Sequence, residues 1–144
     1  MTASHLQRFV DAQDDHGTFA RALDELAAGR KRSHWMWFVF PQLAGLGRSE
    51  TARFFALASL DEGAAYVAHP VLGPRLHEAV SALLSLSGVS ATDLFGPVDA
   101  MKLRSSMTLF HRADPDDPAF GTVLDRYFDG MPDEATDQLL AGTE

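Results

Sequence analysis

The chain has 144 residues, a formal net charge of −8, 46% apolar and 22% charged residues, and no cysteine. These values fit one soluble globular domain spanning residues 1–144 and exclude disulfides and thiolate metal sites. A balance this acidic also argues against bulk nucleic-acid binding, which needs a basic face.

The opening residues, MTASHLQRFVDAQDDHG, lack the basic segment and apolar core of a signal peptide. The longest apolar run, Trp35–Phe40, falls far short of the roughly 20 residues of a membrane span. A cytoplasmic protein without membrane contact is expected.

In chain order, Leu6, Phe9 and Val10 share a helical face, and Asp14, Asp15 and Gly17 interrupt it. Phe19, Ala22, Leu23 and Leu26 follow the spacing of an amphipathic helix, with Gly29 placed as its C-cap and Arg30–Arg32 beyond its negative end. His34–Phe40 reads equally as a buried strand or a short buried helix. With no partner strand evident, its backbone groups favour the helix, and Pro41 ends it. Gly45 and Gly47 turn the chain.

Ser49 starts a helix through Phe54, Phe55 and Leu57, and Ser59 with Glu62 forms a capping-box pattern before Tyr66 and Val67. His69-Pro70 breaks that helix, and either Pro70 or Pro74 suits the first turn of the next. This next helix carries Leu72, Leu76, Val80, Leu83 and Leu84, and is expected to be the longest. Ser90 and Asp93 predict a cap leading to Leu94-Phe95-Gly96, and Pro97 starts a helix through Phe110. Phe120, Val123, Leu124, Tyr127 and Phe128 mark another, ended by Gly130 and Pro132, and Asp133 can cap a last helix through Leu139 and Leu140. The expected fold is all-α, a compact single-domain bundle of six to eight short-to-medium helices.

Charge is lopsided. Nine acids face Arg126 alone between Asp114 and Glu144, and five bases face Glu50 alone between Arg30 and Arg53, so two surfaces of opposite sign are expected. The six histidines (His5, His16, His34, His69, His77, His111) form no H-x-x-x-H pair, so no metal site is expected. No nucleophile elbow or Walker loop is present either, and nothing calls for a cofactor.

The stretch from Arg30 to Arg48 concentrates the binding chemistry. Arg32 belongs to a run of three cations. Trp35 and Trp37 can stack on a ring or belong to the core; two apart on a helix, they point roughly opposite ways. His34 is a candidate acid–base group or a histidine bonded to the backbone at a helix start. Gly47-Arg48-Ser49 precedes a helix N-terminus, so Arg48 can help hold an anion there, or Ser49 can simply cap. A second element, Ala100–Phe110, sets Lys102 and Ser106 on one face, Arg104 on another, and Ser105, Ser106 and Thr108 amid apolar residues. Such polar groups need partners, either within the fold or on an anionic ligand.

The motifs GRKRSHWMWFVFPQ (Gly29–Gln42), GLGRSE (Gly45–Glu50), HPVLGPRL (His69–Leu76) and KLRSSMTLF (Lys102–Phe110) resemble the signatures of a bacterial family catalogued as domain of unknown function 1810. The resemblance runs from about Leu6 to Leu140 and implies a compact all-helical fold with no established activity. Some members carry a calpastatin label, which ill suits a chain with this much periodic apolar surface, since calpastatins are disordered. A weaker similarity, through Lys102, Met107, Phe120, Leu124 and Gly130, is to the NADAR group, which implies ADP-ribose chemistry and N-glycosidic bond cleavage. Glu50 is the nearest candidate for that group's acid.

Two functions follow as expectations. One is binding of a small anionic, ring-bearing metabolite of nucleotide or ADP-ribose type, with Arg32, Arg48, Lys102 and Arg104 on the anion, Trp35 or Trp37 on the ring, and Gln42, Ser105 and Ser106 as further contacts. His34 or Glu50 would move protons in an N-glycosidase version. The other is a non-catalytic helical module that binds a protein partner, whose identity the residues do not reveal.

Overall fold

The computed structural model describes residues 2–142, with side chains from Leu6 onward; the side chain of His5 lies outside the described residues. The elements are α1 (Thr2–Asp14), α2 (Thr18–Ala27), α3 (Met36–Val39), α4 (Glu50–Phe54), α5 (Leu60–Ala68), α6 (Leu72–Ser85), α7 (Ala91–Ala113), α8 (Pro118–Phe128) and α9 (Glu134–Gly142). Since α3 is a single turn, eight longer helices remain among the described residues, and the fold is all-α as expected.

Local chemistry explains the boundaries. A 3-10 turn at Asp15–Gly17 with His16 and Gly17 at positive φ separates α1 from α2. α2 ends in a Schellman arrangement: Gly29 N–H donates to Leu26 O, Arg30 N–H to Glu25 O, and Gly29 has φ 76°. The hydroxyls of Ser49, Ser59 and Ser90 accept from Ala52, Glu62 and Asp93 amides, and Asp117 caps α8 with Pro118 in its first turn.

Three expectations change. The helix expected over His34–Phe40 shrinks to one turn, and the chain beyond it makes an isolated parallel bridge, Leu43 with Leu57. α4 ends at Phe54, which leaves Leu57 free for that bridge. The longest element is α7 and not α6, because the short helix capped at Ser90 runs on across a break at Gly96 (φ 78°, ψ 165°) into the helix begun by Pro97.

α7 is the centre of the molecule. It packs against α5, α8 and α9, while α6 packs against α2, α5 and α8. Ser105–Phe110 are six consecutive buried residues, so neighbours cover this helix on every side there. That explains its hydroxyls: small side chains let neighbours approach, and Ser105 and Thr108 donate back to the carbonyls of Met101 and Arg104. The aromatic core continues from Phe9 to Tyr66, Phe110 and Phe120, with successive centroids 5.2, 5.3 and 5.5 Å apart.

α9 is docked by polar contacts. The Thr108 hydroxyl accepts from Asp133 N–H at 2.8 Å, the Asp133 carboxylate takes the amide and hydroxyl of Thr136, and Arg112 makes two 3.0 Å bonds to Asp137. Thr108→Val keeps the shape but orphans the Asp133 amide, and should cost about 1–2 kcal/mol. Urea denaturation checks this, and an unchanged midpoint would show that water replaces the hydroxyl.

Candidate functional site

The stretch from Lys31 to Trp35 is organised by Glu25, a carboxylate only 9% exposed. Arg32 and Ser33 amides, the Ser33 hydroxyl and the Trp35 indole N–H all donate to it. Burial alone pushes this carboxyl up, but the Ser33 hydroxyl, the two amides and the indole outweigh burial and hold it at about 2. Trp35 is therefore sealed in the core, with no face for a ligand. Glu25 has a sequence signal in hindsight, since it lies three residues after Ala22 and beside Leu26 on the buried face of α2.

The cations near the tryptophans divide into two groups. Lys31 pairs with Asp99 at 2.9 Å, and Lys102 reaches the same carboxylate at 3.4 Å while its ammonium lies 4.7 Å from the Trp37 ring centroid. Arg104 donates to the carbonyls of Met131 and Pro132, which fastens the α8–α9 link to α7. Arg32, His34, Arg48 and Glu50 are exposed, and their side chains make no hydrogen bond or ion pair with other described residues. The Ser49 hydroxyl already accepts the Ala52 amide, one of the first-turn donors of α4.

Three of the residues singled out above do converge. Gln42, Lys102 and Ser105 line a groove of about 240 Å³ with Leu46, Gly47, Val98, Met101, Asp133 and Ala135. The groove lies where the loop after α3 meets α7 and the start of α9, and Gly45 there approaches Leu139. Trp37, half-buried, lies beneath Lys102. Ser106, the next residue, is fully buried and its hydroxyl has no hydrogen-bond partner among the described residues. Sequence reasoning missed Asp133 as a lining group and Asp99 as the partner of Lys102. It also missed the apolar wall of Val98 and Met101, each 67% exposed.

The polar groups of this groove retain bonding capacity. The Gln42 side-chain amide has no partner among the described residues, and Asp133 uses only Oδ2, in capping α9. Lys102 has one long contact for three donors. A wider hollow of about 650 Å³, between α1 and Phe54–Phe55, differs in that each of its charged side chains has a protein partner, whereas the Gln42 amide of the smaller groove has none among the described residues. There Arg8 bonds to Phe54 and Ala56 carbonyls, Asp11 accepts from Gln7, Asp14 pairs with Arg75, and Asp15 with His16. The smaller groove is thus the better candidate despite its size. Among the described residues no three His, Asp or Glu side chains are grouped to hold a metal ion, and no helix is long and apolar enough to cross a membrane.

Comparison with known proteins agrees with this picture of the fold. The family model described as "Protein of unknown function (DUF1810)" matches residues 3–140. The crystal structure of the conserved hypothetical protein Rv1873 from Mycobacterium tuberculosis is 48% identical, superposes with a TM-score of 0.91, and the match covers 94% of this chain and 96% of that one. No curated protein matches this chain. A family model spanning almost all of the helices, together with a solved relative of the same fold matched over nearly the whole of both chains, places this chain in the DUF1810 family.

Proposed function

We propose that the protein binds a small anionic ligand with a ring or other apolar body in the groove between α7, the loop after α3 and the start of α9. The observation that carries this reading is the meeting of Gln42, from the loop after α3, with Lys102 and Ser105 of α7 beside the apolar wall of Leu46, Val98 and Met101. An apolar surface with a few unsatisfied polar groups is the usual make-up of a ligand site. Lys102 supplies the charge for the anion, and Gln42 adds a donor and an acceptor. At about 240 Å³ the groove is smaller than the roughly 300–1,000 Å³ of sites that engulf a drug-sized molecule. A nucleotide or ADP-ribose derivative would therefore be held by one end.

Binding is favoured over N-glycosidase chemistry. His34 and Glu50 do not line the groove, and Asp133, the carboxylate that does, has one oxygen committed to capping α9. Trp37 provides the readout, since a ligand that engages Lys102 disturbs the cation above its ring. Titration with ADP-ribose, NAD, nucleotides and small aromatic carboxylates should give a saturable fluorescence change with at least one of them. Lys102→Gln should weaken that binding about tenfold, the cost of one charge-assisted contact. A folded protein that gives no response at millimolar ligand would overturn the proposal.

A second reading, a non-catalytic module that grips a protein partner, draws on the exposure of Val98, Met101 and Met131 (67, 67 and 59%) along this edge of the molecule. Co-purification that is lost in Val98→Asp, without any small-molecule response, would favour it.

A further inference from the structure

The groove carries charges of both signs, on different elements. Lys102 projects from α7, and Asp133 stands at the start of α9, held there by its own amide on the Thr108 hydroxyl and by Arg104 on the two preceding carbonyls. Asp133 Oδ2 accepts the amide and hydroxyl of Thr136, and Oδ1 accepts nothing within the described protein. Lys102 keeps free donors beyond its 3.4 Å contact to Asp99. Although both line the same groove, Lys102 is not paired with Asp133; its carboxylate partner is Asp99. Leu46, Val98 and Met101 line the same groove, and their surface can take an apolar body but no charge.

We propose that the ligand is a zwitterion, a carboxylate and an ammonium carried on one apolar body, as in a free aromatic or branched aliphatic amino acid. This rests on the groove reading above, keeps its anionic group on Lys102 and adds a cationic group for Asp133. The carboxylate would meet the ammonium of Lys102, and the ligand's ammonium would donate to Asp133 Oδ1. The Gln42 amide would take whichever polar atom remains, and the side chain would cover Val98 and Met101. Each charge meets its opposite on the protein, so neither is buried unpaired. A purely anionic ligand leaves Asp133 as a like charge nearby, which works against its binding.

Calorimetric titration of the folded protein with two matched sets of probes tests this. One set is L-phenylalanine, 3-phenylpropionate and phenethylamine; the other is L-leucine, 4-methylpentanoate and isopentylamine. In at least one set the amino acid should bind about tenfold tighter than the acid or the amine alone, the worth of one further charge-assisted contact. Asp133→Asn, which retains a good helix cap, should bring the amino acid down to the affinity of the matching acid. If acid and amino acid bind equally, or if the preference survives in Asp133→Asn, the zwitterion proposal fails while the anion-binding reading stands. If no probe in either set binds, the zwitterion proposal fails alone, and the nucleotide titration above decides whether the groove binds anions at all.

Discussion

Glu25→Ala should lower stability by about 3–5 kcal/mol, because it strands one fully buried donor and three part-buried ones at once, a buried one costing about 1–3 kcal/mol when left unpaired. The donors are two amides, a hydroxyl and the indole of a fully buried tryptophan. Glu25→Gln keeps the volume and one acceptor oxygen, so about half that loss is expected. The pH dependence has a definite sign. The folded carboxyl sits at about 2 against an ordinary 4.5. Its contribution is therefore fully present above pH 4.5 and is lost as pH falls from there toward 2, where the unfolded chain takes up a proton that the folded one refuses. The gap is worth about 3 kcal/mol. Urea denaturation of wild type and Glu25→Gln at pH 7 and pH 3 reads the part of it lost by pH 3, about 2 kcal/mol. Equal losses in the two proteins over that interval would show that Glu25 does not carry the acid sensitivity.

Gly73→Ala should be as damaging, although alanine is the better helix former by about 1 kcal/mol. A Cβ at position 73 would lie 2.1 Å from the carbonyl oxygen of Val67 and 3.1 Å from its carbonyl carbon. Both are backbone atoms, so the corner between α5 and α6 would have to open. That corner has little slack. His69 Nδ1 accepts the amides of Val71 and Leu72, and Gly73 N–H donates to His69 O. A loss of about 3 kcal/mol or more is expected, at the upper end for overpacking. Gly142→Ala, where an added Cβ meets nothing, should change little. Equal melting temperatures for the two variants would refute the close approach.

Part of the candidate groove was legible in the sequence, for a chemical reason. Ser105 and Lys102 stand out because hydroxyls and a cation in an apolar helix must find partners. Which partner each finds was not legible. Arg104, two residues from Lys102, was an equally good candidate for an anion, yet it binds carbonyls 27 and 28 positions away. Asp133 was read as a helix cap, which it is, but its place beside Lys102 depends on how α9 docks onto α7.

The caps at Ser49, Ser59, Ser90, Asp117 and Asp133, the stop at Gly29 and the break before Pro97 were all fixed by neighbours within a few residues. Such features are written locally, because the orphan backbone groups of a helix end are satisfied from the adjoining turn. The fate of the two tryptophans was decided only in three dimensions. Trp35 is drawn inward by a carboxylate ten positions earlier and Trp37 is left half-buried under Lys102. The two indoles are chemically alike and only two residues apart, so what separates them is the face each presents once α2 and α7 have closed around that stretch.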